Sequence, residues 1–283
     1  MVVGTGGMAR LLARCLRGRA HVAIASRRPS EARRLARRLG AEWASVEEAG
    51  RFDFVVLTAP PDRLEEAASR VAGHLRPGSI VMDVSSVKRG VVERVSRALP
   101  SHVAYVSLHP LFGPSTRRVE GRVVVVVPVR GEWAVEPVVE LMRGMGLRVV
   151  VSSADEHDMA MAAVQVAHHL SYLAYAVTLA SSLSPELVER YATRSLCSTL
   201  SALRRLYRGL RVVREIQELN AYGGLIKVRL LENLRELARG GEGAWRRVEE
   251  ALRLLASVRP QASGRAKASA SRRPQRTPTS ASP

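Results

Sequence analysis

The chain is poor in several residue types, and each shortage narrows what it can be. It has only two cysteines in 283 residues, Cys15 and Cys197, far apart and in no metal-ligand or redox spacing. No disulfide framework or cysteine-based metal site is expected, and a reducing cytoplasm suits such a chain. Aromatic residues make up 4%, too few for a surface that stacks on bases. The longest apolar run, "VVVVVPV" at 123–129, is far shorter than the roughly 20 residues of a membrane span. Arg10, Arg14, Arg17 and Arg19 interrupt the N-terminal segment, so no secretory leader is expected. Lysine is nearly missing. Of 44 cationic residues three are lysines (Lys88, Lys227, Lys267) and the other 41 are arginines. With isoleucine and asparagine also scarce, the net charge of +18 reads as a compositional bias towards Ala, Val, Leu and Arg, and specific nucleic-acid binding is not expected.

What is present falls into three parts. Over 1–152, short β-rich runs alternate with helical ones: "HVAIAS" (21–26), "FDFVVLTA" (52–59), "SIVMDVSS" (79–86), "HVAYVSL" (102–108), "RVVVVVPV" (122–129) and "LRVVVSS" (147–153). Most are continuous apolar runs, as strands covered on both faces require. The alternation predicts an α/β fold, a Rossmann-type doubly wound, mostly parallel sheet. From 153 to 258 only helical periodicity remains, opened by the capping box Ser153-Ala-Asp-Glu156 and restarted at Ser184-Pro185, with breaks at 221–224 and 239–243. An all-helical substrate and dimerisation domain is expected there. Residues 259–283 carry six basic residues, no acidic one and no periodicity, and are expected to form a disordered basic tail.

Between the first strand and first helix lies Gly4-x-Gly6-x-x-Ala9. The first glycine makes the turn, the second lets the backbone approach a pyrophosphate, and the small third residue lets the helix pack on the strand. A dinucleotide is therefore expected against Gly4, Thr5, Gly6, Gly7 and Met8, with Ala59 and Pro60 beyond a neighbouring strand. Only Met1, Val2 and Val3 precede the loop, from which a start further upstream is expected. The second strand ends in Ser26-Arg27-Arg28, without the carboxylate that usually holds the ribose hydroxyls. Arginines there favour a 2′-phosphate, so NADP is expected over NAD.

Two further polar clusters fall where an open α/β sheet binds ligands, Asp83-Val-Ser85-Ser86-Val-Lys88 and His109-Pro-Leu-Phe-Gly-Pro114. A third, Gln165-Val-Ala-His168-His169, lies on the first helix of the second part, within reach of the cleft between the two parts. Each has a bland reading. Ser86 can cap the following helix, and the histidines can be packing residues. Taken together with Gly-x-Gly-x-x-Ala and Glu156-His-Asp158, in this order and at these separations, they make residues 1–256 resemble the prephenate/arogenate dehydrogenases of tyrosine biosynthesis.

The resemblance implies oxidative decarboxylation of prephenate or arogenate with hydride transfer to NADP or NAD. It implies that His109 is the catalytic base, that Ser86 hydrogen-bonds to it and to the substrate hydroxyl, and that His169 and Gln165 contact the substrate. It also implies an arginine of the helical part on a substrate carboxylate. Arg194, Arg204, Arg205 and Arg208 are candidates, with Arg194 preferred, and a homodimer is expected. No metal is expected. The alternatives are another NADP-dependent dehydrogenase or imine reductase of similar architecture, and a non-catalytic NADP-binding regulator that touches nucleic acid through its basic tail.

Overall fold

The computed structural model describes residues 1–258, so the predicted tail lies outside the described residues. Eight strands form one sheet in the order β3-β2-β1-β4-β5-β6-β7-β8. They are β1 (Val2–Val3), β2 (Ala23–Ala25), β3 (Glu42–Trp43), β4 (Phe54–Leu57), β5 (Ile80–Asp83), β6 (Ala104–Pro110), β7 (Val123–Arg130) and β8 (Arg148–Val151). β1 to β6 are parallel, β7 runs against β6, and β8 follows β7. β3, which carries one of the three tryptophans, was not among the expected strands. It is two residues long on the sheet edge, too short to show a period.

Side chains of successive strand residues point to opposite faces, and both faces are covered. Ile24, Val56, Met82 and Val106 pack beneath α1 (Gly7–Leu16), α2 (Pro29–Leu39) and α5 (Val135–Gly144). Ala25, Val55, Val81 and Tyr105 pack beneath α3 (Leu64–Ala72) and α4 (Val91–Ala98). This explains why the strands read as continuous apolar runs. α2 begins with Pro29 and closes on Gly40 in the left-handed conformation, the asymmetry its sequence announces. β1 has only two residues, yet it sits at the centre of the sheet. The α-amino group of Met1 donates to the Phe54 carbonyl at 2.6 Å, as a ladder N–H would.

Beyond β8 the described residues are helical. α6 (Ala154–Met161) runs through a π-helical turn (Ala162–Ala167) into α7 (His168–Ser182). α8 (Pro185–Arg190), α9 (Arg194–Arg208), α10 (Leu210–Leu219), α11 (Gly223–Arg239) and α12 (Glu242–Ala256) follow. Ser153 and Ser184 cap α6 and α8 as their sequences indicate. The Glu156 carboxylate accepts from Ser152 and not from the Ser153 backbone, so only half of that capping box forms.

Candidate active site

The glycine loop at the carboxyl end of β1 opens onto a cleft of about 350 Å³ between β1 and β4, where the strand order reverses. Gly4 has φ +135°, and a Cβ there would lie 2.1 Å from Thr58 Oγ1, so only glycine fits. Gly6 has nothing within 4 Å of a Cβ position, which leaves its backbone open to a ligand ahead of α1. Gly7, the first residue of α1, also carries a packing constraint. A Cβ on it would meet Pro114 at 2.7 Å, so it admits the loop after β6 rather than lining the cleft. Met8 is likewise absent from the cleft wall and packs on the sheet core. Thr5, Ala59 and Pro60 do line it.

At the far end of the cleft Ser26, Arg27 and Arg28 are joined by Arg63 and Arg70. Two carboxylates that the sequence reading left out lie there as well. Glu31 accepts from Thr5 and Arg28, and Glu66 accepts from Arg70 at 2.9 Å with Arg27 and Arg63 within 4 Å. Four guanidinium groups against two carboxylates leave that end positive.

His109 is not in a loop beyond its strand. β6 continues through Pro110, and His109 stands opposite Val125 of β7. An antiparallel partner extends the ladder past the point where the parallel strands stop. His109 is 3% exposed. Its Nδ1 lies 2.8 Å from His157 Nε2, and His157 Nδ1 lies 2.7 Å from Asp158 Oδ1. Asp158 also accepts from the backbone N–H groups of Lys88 (3.0 Å) and Arg89 (2.8 Å), and its own carbonyl accepts from the Asn220 side chain. His109 Nε2 makes no hydrogen bond among the described residues.

Lys88 is wholly buried, and its ammonium spends its three protons on the Ser85 carbonyl, Ser107 Oγ and the Leu108 carbonyl. Burial pushes its pKa down to about 8, against the pull of Asp83 and Asp158. Burial first, then the Lys88 cation and His157, hold His109 well below the ordinary histidine value of 6.5. His157 is lowered as well, again chiefly by burial, although the bond to Asp158 opposes this. Both rings are therefore neutral at neutral pH. Asp83 accepts from the Tyr105 hydroxyl and the Ser85 N–H, which closes the network underneath.

Ser86 sits half-buried in the loop after β5, and its hydroxyl makes no hydrogen bond among the described residues. The partner of His109 is thus His157 and not Ser86. Nor does Ser86 cap α4, whose N-cap is Gly90. Gln165 lies in the π-helical turn and His169 four residues on, and Gln165 Oε1 and His169 Nδ1 are buried without a partner among the described residues. Such atoms call for a ligand or a water, and π-turns recur at functional sites. Arg194 is the exposed first residue of α9, which packs against α7. His157, Asp158 and Asn220 were not among the expected site residues. The only sign of the first two was the Glu156-His-Asp158 element.

A parallel sheet with a 3-2-1-4-5-6 core, a glycine turn at its switch point and a helical region after it define a Rossmann-type nucleotide-binding architecture. Residues 12–151 match the family described as "Prephenate dehydrogenase, nucleotide-binding domain". This similarity to the prephenate dehydrogenases covers just under half of the chain. The chain is 29% identical over 190 residues to a probable arogenate/prephenate dehydrogenase of Methanocaldococcus jannaschii, a match over 63% of this chain and 42% of that one. It is 40% identical over 127 residues to a 4-amino-4-deoxyprephenate dehydrogenase of Streptomyces pristinaespiralis, over 45% of this chain and 42% of that one. The match thus spans well under half the length of each relative. Among solved structures, prephenate dehydrogenase of Aquifex aeolicus in complex with hydroxyphenyl propionate and NAD+ superposes with a TM-score of 0.71 at 20% identity, over 90% of this chain and 96% of that one.

The depressed histidines tie stability to pH. The unfolded chain binds protons on His109 and His157 near 6.5, whereas the folded chain resists until a lower pH. The contribution of these two rings to stability is therefore full above 6.5 and is lost as pH falls below it. Denaturant midpoints measured against pH should show this loss, and His109→Asn should flatten it. An unchanged slope in the variant would contradict the assignment.

Proposed function

We propose that the protein is an NAD(P)-dependent dehydrogenase that oxidatively decarboxylates prephenate or arogenate. The observation that carries this reading is His109: a neutral imidazole at the carboxyl end of β6, its Nε2 without a partner among the described residues, on a strand whose following loop rests on Gly7 of the dinucleotide turn. The activities named for the Methanocaldococcus and Aquifex proteins support it. So do the unpartnered atoms of Gln165 and His169, which we assign to the substrate together with Arg194. Ser86, unspent in the adjacent loop, is left to bond the substrate hydroxyl.

The open backbone at Gly6, the turn at Gly4 and the positive far end fit a dinucleotide. When bound, its nicotinamide supplies the hydride acceptor. His109 Nε2 takes the proton of the ring hydroxyl while the same carbon gives up its hydride, and a carbonyl forms. The bond to the ring carboxylate then breaks. Carbon dioxide leaves, the bonding pair enters the ring, and the carbonyl oxygen takes a proton to become a phenol. Aromatisation makes the step strongly favourable, so the chain's main task is orientation. We divide the chain at 152/153, where the sheet gives way to helices, and place the enzyme in the cytoplasm. No helix among the described residues is long and apolar enough to cross a membrane.

The base assignment is tested by His109→Asn assayed with prephenate, arogenate and 4-amino-4-deoxyprephenate. Turnover should fall about 10²- to 10⁴-fold with KM little changed. A folded, NADP-binding variant with near-normal turnover would end it.

Cofactor choice rests on Arg27 and Arg28. Converting both to Ala should weaken NADP while sparing NAD, because only the former carries a 2′-phosphate. Better use of NAD by the unaltered enzyme would reverse this part of the proposal.

We also propose a homodimer. Val228, Leu231 and Leu234 of α11, Trp245, Leu252 and Leu255 of α12 and Val177 of α7 are exposed, between 47% and 71% of their surface. Burying each such side chain stabilises by about 1.5–3 kcal/mol, so a handful offsets an association cost of about 4–15 kcal/mol. A second copy of the same helices is the occupant we assign. Light scattering should give twice the chain mass, and a stable monomer at micromolar concentration would refute it.

A further inference from the structure

The geometry points to a positioning role for His157 and Asp158: they fix His109 as the tautomer protonated on Nδ1 and so reserve its Nε2 lone pair for the substrate hydroxyl. This rests on the proposed role of His109 as base and deepens it.

The sense of the chain of bonds follows from its far end. The Asp158 carboxylate can only accept, and it is held by three N–H donors, those of His157 Nδ1, Lys88 and Arg89. The proton between His157 and Asp158 therefore belongs to His157 Nδ1. Neutral His157 then has a bare Nε2, which at 2.8 Å can only accept from His109 Nδ1–H. Neutral His109 is left with its lone pair on Nε2. The opposite sense would require a proton on His157 Nε2, hence either an imidazolium or an unbonded carboxylate in a wholly buried place. The side chains of His157 and Asp158 are both 0% exposed. A carboxylate oriented in this way sets the tautomer of the ring it holds, and here the influence passes through one further ring.

Asp158 is itself held from three directions. Lys88 and Arg89 grip its carboxylate from the loop after β5, Asn220 at the end of α10 grips its carbonyl, and α6 carries it. The other charged or titratable groups facing the pair are the Lys88 ammonium and Asp83, with Tyr105 bonded to the latter. None of these competes for His109 Nδ1, whose bond is to His157.

The test uses the full chain labelled with ¹⁵N-histidine, whose nitrogen shifts report which ring nitrogen carries the proton. The His109 signals are identified by their loss in His109→Asn. Above pH 6.5, His109 should be protonated on Nδ1 and bare on Nε2. His157→Phe, which keeps the ring shape but neither nitrogen, should abolish that preference and lower kcat about 10²- to 10⁴-fold with KM little changed. His157→Gln, whose amide can accept from His109 and donate to Asp158, should restore much of both. Where His157→Phe fails to bind NADP or to melt cooperatively, Asp158→Asn replaces it. An amide donor facing His157 should move the proton of His109 to Nε2 and lower kcat. A merely structural pair would lower the melting midpoint but leave tautomer and kcat of the folded protein unchanged. That result, a proton on His109 Nε2 in the unaltered protein, or a Gln variant no better than Phe would overturn the inference. If none of the three candidate substrates is turned over, the functional reading has failed, and the tautomer measurement still decides the relay.

Discussion

The site depends on one buried carboxylate. Asp158 is withdrawn from water, and leaving such a group unpaired would cost several kcal/mol. It is instead saturated by the N–H groups of His157, Lys88 and Arg89. Because those donors come from α6 and from the loop after β5, the satisfaction of one charge fixes the helical region against the sheet. Lys88 works from the other side. Its ammonium ties the loop after β5 to the Leu108 carbonyl, one residue before His109. An ion buried this completely is retained at a cost, and its bonds pin both chain segments that meet at His109.

The reversal of strand direction at β7 matters for the same reason. In a purely parallel sheet His109 would project from a loop, where side chains wander. Pairing of His109 with Val125 holds its backbone in a ladder, and rigid elements place reacting groups more closely than loops do. The loop that follows crosses to Gly7, and Arg14 of α1 donates to the Thr116 carbonyl. The glycine turn and the strand that bears His109 are thus one mechanical unit.

The surface obeys a looser economy. Many arginines pair with glutamates three or four residues away, as Arg211 does with Glu215 and Arg214 with Glu218. Exposed pairs of this kind are worth at most about 1 kcal/mol each, so the large positive charge contributes little to the fold. The helical region behind the sheet has few buried residues of its own, and α7 has none. Its apolar faces are the larger reserve of stabilisation.

Local sequence determined the layers and the ligand-facing loops. Continuous apolar runs, glycine and proline at helix ends, and Gly4-x-Gly6-x-x-Ala9 are consequences of backbone geometry that a stretch of ten residues can encode. They are legible without a fold. So was His109 as a singular residue, since a histidine at the carboxyl end of a strand stands where such sheets bind ligands. The partner of that histidine was not legible, because Ser86 precedes it by 23 residues and His157 follows it by 48. Only the docking of α6 onto the loop after β5 brings the second within reach. Likewise Gly7 looks like any glycine of a phosphate loop until Pro114 is packed against it, and Glu31 and Glu66 enter the cleft only once α2 and α3 are laid on opposite faces of the sheet. Period, capping and turn chemistry act over a few residues and can be read along the chain. Which buried donor satisfies which buried acceptor is settled by desolvation at long range, and that the tertiary structure alone decided.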